Sequence, residues 1–125
     1  MTLRELYDRI GGDYDRALNV LCIEKLMDKH IRRLPANSIF ASLEEAEKIM
    51  DPAGLFESAH AIKGVCSNLG LVRIASLASE ISEEFRPGRS RSMTDDEVHA
   101  KIGEIRSLHE RTVEGIRAYE QEMQA

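Results

Sequence analysis

Residues 51–70 read DPAGLFESAHAIKGVCSNLG. Asp51 followed by Pro52 is a helix start, because aspartate suits the N-cap and proline's fixed φ suits the first helical position. The stretch closes on Leu69-Gly70, and glycine suits a left-handed cap. At about 100° per residue, Ile62, Val65 and Leu69 fall on one side, flanked by Leu55 and Cys66. His60 points away from them. Relative to His60, Lys63 lies about 60° to one side, Ser67 about 20° on the same side, and Gly64 about 40° to the other. The spacing predicts one helix with a buried apolar stripe and an outward face carrying His60, Lys63, Gly64 and Ser67.

Glycine inside a helix costs about 1 kcal/mol relative to alanine. A side chain at i+4 would stand beside the imidazole, so Gly64 leaves the ring open to something as large as another protein. Lys63 places a positive charge nearby, which attracts an anionic group carried on the ring. An exposed neutral imidazole is a nucleophile. Against this, a lone exposed histidine is usually an ordinary surface residue. Gly103 and Gly115 also fall inside a predicted helix, so wheel geometry alone does not single out His60.

Working outward, Leu3, Leu6, Tyr7 and Ile10 predict a short helix ended by Gly11-Gly12. Asp13 caps a longer predicted helix with the stripe Tyr14, Ala17, Leu18, Leu21, Leu26, Ile31, Leu34, stopped by Pro35. Asn37 or Ser38 caps the next, with Ile39, Phe40, Leu43, Ala46 and Met50 as its buried face. After Gly70 come Leu71, Ile74, Ala78, Ile81 and Phe85, then Pro87-Gly88 and the segment RPGRSRS, read as a solvated, mobile loop. Thr94 and Glu97 have capping-box spacing. The seam Val98, Ile102, Ile105, His109, Thr112, Ile116, Tyr119, Met123 alternates steps of four and three, as in helix bundles. The expected fold is all-α, an antiparallel four-helix bundle with a short extra N-terminal helix, in a single domain over residues 1–125.

Composition narrows the function. The 125 residues carry a net charge of −5, 5% aromatics and no Trp, which argues against a nucleic-acid reader. No apolar run reaches the length of a membrane span, and MTLRELYDRI is charged rather than a signal peptide, so the expected location is cytoplasmic. Cys22 and Cys66 read as buried reduced thiols. His109 reads as a partly buried, hydrogen-bonded seam residue, His30 as a helix-end residue favoured by the dipole, and His99 as solvated. No metal-ligand spacing appears. The chain has no Glu-x-x-His, so a di-iron carboxylate bundle is set aside.

HAIKGVCSNLG resembles the H-x-x-K-G-x-x-x-x-L-G signature of histidine-containing phosphotransfer (HPt) domains, through His60, Lys63, Gly64, Leu69 and Gly70, with Asn68 fitting the small polar residue before Leu-Gly. The order of predicted helices also follows the family over nearly the whole chain. The resemblance implies a phosphocarrier. His60 accepts a phosphoryl group from a receiver aspartyl phosphate or a sensor histidine kinase and passes it to a response-regulator aspartate. Lys63, Gly64 and Ser67 form the phosphate or partner surface, and the partner brings Mg²⁺. With no ATP-binding or kinase motif, the chain is expected to be no enzyme by itself and to need no cofactor. The alternative is a helical interaction module that docks a signalling partner without being phosphorylated. The family often orients the histidine with a Gln or Glu on the following helix, where this chain offers Ser79, Glu80, Ser82, Glu83 and Glu84.

Overall fold

A computed structural model describes residues 1–124. Among them are seven α-helices, α1 (Leu3–Ile10), α2 (Tyr14–Leu21), α3 (Glu24–Arg33), α4 (Ile39–Ile49), α5 (Pro52–Asn68), α6 (Val72–Glu84) and α7 (Asp95–Gln124), with a 3₁₀ turn at Leu34–Ala36 and no strand. In the core α5 packs on α4 and α6, α6 on α7, and α7 back on α4. Helices α1 and α3 lie on α7, and α2 lies on α5. None of the described helices is long and apolar enough to cross a membrane.

Helix α1 ends at Gly11 in the left-handed region, as its sequence predicts, and opens with a capping box between Thr2 and Glu5 that was not among the expectations. The single helix expected over Tyr14–Leu34 is two. Cys22, at φ 73°, ends α2, and extended Ile23 starts α3. The cause is phase. On one continuous helix, the face holding Tyr14, Ala17, Leu18 and Leu21 would lie about 120° from the face holding Met27, Ile31 and Leu34. The break turns both faces inward, burying Ala17, Met27, Ile31 and Leu34. It leaves Leu26, expected in the stripe, exposed, and Cys22, expected buried, exposed as well.

Helix α4 buries Phe40, Leu43 and Ala46. Met50 lies just past its end in a left-handed conformation and is only half-buried, as is Ile39. Asn37, not Ser38, supplies the side-chain cap, its Oδ1 accepting from Ile39 N at 3.1 Å. Asp51 and Pro52 start α5 as expected, although the Asp51 side chain makes no capping bond. The α5–α6 turn needs its glycine twice over. Gly70 has φ 70°, and a Cβ there would run into the backbone oxygen of Asp13. The Gly70 carbonyl accepts from Asp13 N at 2.8 Å, which pins the start of α2 to the end of α5.

The segment after α6 is solvated as expected, with residues 86–92 exposed, but its far end is tied to Glu84. Glu84, 1% exposed, accepts from Arg91 Nε (2.8 Å), Ser92 N (3.0 Å), Ser92 Oγ (2.9 Å) and Met93 N (2.8 Å). Burial alone would raise this carboxyl. The Arg91 guanidinium and the Ser92 and Met93 donors overcome it and hold the group down at about 2. Arg91 also pairs with Asp95 at 3.1 Å, in the first turn of α7, whose capping box joins Thr94 and Glu97. Removing a buried carboxylate while its donors remain costs about 2–3 kcal/mol. Glu84→Ala is therefore expected to lower the thermal midpoint and to loosen this segment first, read as faster amide exchange at Ser92 and Met93.

The α7 seam is buried at Val98, Ile102, Ile105, Thr112, Ile116 and Tyr119. Met123 departs from the expectation and is 56% exposed. In the last turn its sulfur meets the Arg32 guanidinium rather than the core. His109 stacks on Phe40 of α4, with ring centroids 3.8 Å apart and planes at 13°. Its Nε2 is buried with no hydrogen-bond partner among the described residues, contrary to the hydrogen-bonded expectation. Burial lowers its pKa against the opposing pull of Glu44 and Glu110.

These two groups set a pH profile. Unfolded, a histidine gains its proton near 6.5, whereas folded His109 resists it, so its contribution is present above about 6.5 and is lost as pH falls below that value. Glu84 contributes fully above the unfolded carboxyl value of 4.5, and its contribution is lost as pH falls through about 2. Chemical denaturation at a series of pH values is expected to show stability declining below about 6.5, with His109→Phe removing that first decline only.

Candidate functional site

Helix α5 turns Leu55, Ala59, Ile62 and Cys66 into the core and leaves His60, Lys63 and Gly64 exposed. The buried stripe differs from the expectation at one point. Val65 is only half-buried, because it borders a side cleft with Leu21, His30 and Asn68.

The His60 ring is bracketed along the helix. One turn before it, the half-buried Phe56 ring runs nearly parallel, with centroids 5.8 Å apart and planes at 17°. One turn after it, a Cβ built on Gly64 would meet nothing within 4 Å. The imidazole thus has an aromatic wall on one side and open space on the other. Sequence reasoning left Phe56 without a role. The signal was there, an aromatic residue at i−4 on the same face.

None of the α6 residues considered as a ring partner hydrogen-bonds to His60. Glu80 pairs with Lys101 (3.1 Å), Glu83 with Arg86 (2.6 Å) and Arg89 (3.4 Å), and Glu84 with Arg91. Ser82 is buried. Ser79 instead lines a cleft of about 220 Å³ between α5 and α6 together with Lys63, half-buried Ser67, Val72, Ala75, Ser76 and, from α2, Arg16. Lys63 and Ser67 therefore do share one feature beside His60, while Gly64 borders open solvent.

The other histidines sit elsewhere. His30 is exposed at the edge of the Leu21–Val65 cleft. His99, expected to be solvated only, also meets Glu47 Oε2 through Nδ1 at 2.8 Å. His109 is the stacked seam residue described above. Among the described residues no group of three His, Cys, Asp or Glu is placed to hold a metal ion. Burial pushes the Cys66 thiol up to about 12, so it is unreactive at neutral pH.

The core is all-helical, and one of its helices presents His60 outward between Phe56 and the open Gly64. A family model described as Hpt domain matches residues 24–122. The chain belongs to the Hpt domain family. Comparison with curated proteins and with solved structures finds no match. Hpt domains serve phosphotransfer in two-component phosphorelays, where they work with receiver domains and kinases and act as phosphocarriers. The match spans α3 to α7, so it includes the His60 helix and leaves α1 and α2 outside it.

Proposed function

We propose that His60 is the phosphoacceptor of a relay carrier that exchanges a phosphoryl group with receiver aspartates, or takes it from a sensor kinase. The exposed ring of His60, walled by Phe56 and clear of any side chain at Gly64, carries this reading. In the forward step an imidazole nitrogen attacks the phosphorus of a receiver's aspartyl phosphate. The N–P bond forms, the O–P bond breaks, and the electron pair leaves on the aspartate as a free carboxylate. The ring's other nitrogen keeps or loses its proton to solvent. Transfer onward runs this in reverse, with an acceptor aspartate as nucleophile and His60 as leaving group. Lys63 favours the anionic group on the ring, and the receiver brings the Mg²⁺.

We read the whole chain, residues 1–125, as one domain built on an antiparallel four-helix bundle of α4–α7; in place of the one short N-terminal helix expected beside it, three helices, α1–α3, precede α4. A cytoplasmic location goes with this role. A docking module without chemistry would not need an exposed imidazole left open on the side of Gly64. The test is reversibility. Protein labelled by a phosphorylated receiver is expected to lose the label to an added unphosphorylated receiver. Label that stays on the helical protein would contradict a carrier.

A further inference from the structure

The Hpt match begins at residue 24, so it assigns nothing to α2. Yet α2 lines a cleft shared with Lys63 and Ser67 of the His60 helix. Its first residues are fixed, because Asp13 N donates to the Gly70 carbonyl, Asp13 Oδ1 caps Arg16 N at 3.0 Å, and Ala17 is fully buried. This places Arg16 on the cleft that also takes Lys63, Ser67, Ser76 and Ser79. No carboxylate lines that cleft. Neither Arg16 nor Lys63 has an ion-pair partner among the described residues, whereas the nearby Arg73 is committed to Glu104 (2.7 Å) and Arg4 to Asp15 (3.5 Å). In a chain of net charge −5, a cleft with two free cations, three hydroxyls and no acid is a local reversal of sign.

We propose that Arg16 is a positioning residue for the partner. Together with Lys63 it receives an acidic side chain from the rim of the receiver's phosphorylation site. The inference rests on the phosphocarrier reading. A receiver aspartate that exchanges phosphate with Mg²⁺ sits among carboxylates, since Mg²⁺ takes oxygen ligands, so the surface it brings to His60 is acidic. Two cations lining one cleft next to the His60 face of α5 steer and register such a surface. Arginine suits the task because its planar fork holds a carboxylate through two donors.

The test measures transfer rate from a phosphorylated receiver to the full chain over a range of chain concentrations, at low and high salt, for wild type, Arg16→Ala, Arg16→Lys and Arg16→Glu. Arg16→Ala is expected to raise the half-saturating concentration about fivefold to tenfold at low salt and to flatten the salt dependence. Arg16→Glu is expected to raise it further. Arg16→Lys, which keeps the charge and gives up the fork, should restore part of the loss, and the plateau rate should stay within about twofold in all three. Wild type that transfers, with Arg16→Ala matching its half-saturation and salt slope, overturns this inference alone. A loss confined to the plateau rate overturns it too. Wild type that does not transfer at all ends both this inference and the carrier reading.

Discussion

His60→Gln is expected to abolish phosphoryl labelling while leaving the helical signal and the thermal midpoint nearly unchanged. The side chain is exposed and its nitrogens bond to no other described residue, so removal strands no buried partner. Only the stack on Phe56 is lost, and exposed substitutions of this kind stay within about 0.5 kcal/mol. The other three histidines do not substitute for it. His109 has its Nε2 buried in the α4–α7 interface, His99 faces Glu47, and His30 lies off the His60 face at the mouth of a separate cleft. Labelling of the variant by a phosphorylated receiver, followed by phosphopeptide mapping, checks this. Acid-labile phosphate persisting at His30, His99 or His109 would refute the assignment.

The second large effect is expected at Gly64. A Cβ there meets nothing within 4 Å, so larger residues fit the monomer. Gly64→Ala should stabilise the helix by up to about 1 kcal/mol and slow transfer only mildly. Gly64→Leu should fold equally well and slow transfer by about tenfold or more, equivalent to about 1.4 kcal/mol or more of barrier, because the added side chain occupies the open side of the ring where the receiver must come. Gly103 is the proper control. A Cβ there approaches only the end of the Arg106 side chain at 3.9 Å, so Gly103→Leu should leave transfer intact. Gly115 looks like a second control in the sequence but is not one. A Cβ there would come within 2.6 Å of Ile10, because α1 packs closely on α7 at that point. Transfer rates on the folded variants decide the matter, and normal transfer in Gly64→Leu would remove any steric role for the gap.

What the sequence discloses here is what local rules govern. The caps at Thr94 and Gly70 and the apolar repeats of α1, α6 and most of α7 depend on neighbours three or four residues away, and they stand where periodicity puts them. The outward face of His60 follows from the same rule. The missed features depend on distant partners. The break at Cys22 appears only when one asks which faces of α2 and α3 meet α5 and α7, although the five-residue steps from Leu21 to Leu26 to Ile31 were a hint of lost phase. Glu84 reads as a surface acid at the end of an apolar helix until the chain folds back to bring it Arg91, Ser92 and Met93. Arg16 reaches the cleft of Lys63 and Ser67 through contacts distant in sequence, among them the hydrogen bond between Asp13 and Gly70.

The central claim is that phosphate travels through one nitrogen-bearing side chain, and the direct measurement is the site of the label. The chain is incubated with a receiver carrying labelled aspartyl phosphate, quenched in base to preserve phosphohistidine, cleaved, and sequenced by mass spectrometry. The account predicts a single acid-labile, base-stable phosphate on the peptide containing His60. Label on any other residue, or none in the presence of a phosphorylated receiver known to donate to another Hpt domain and a panel of other such receivers, would contradict it.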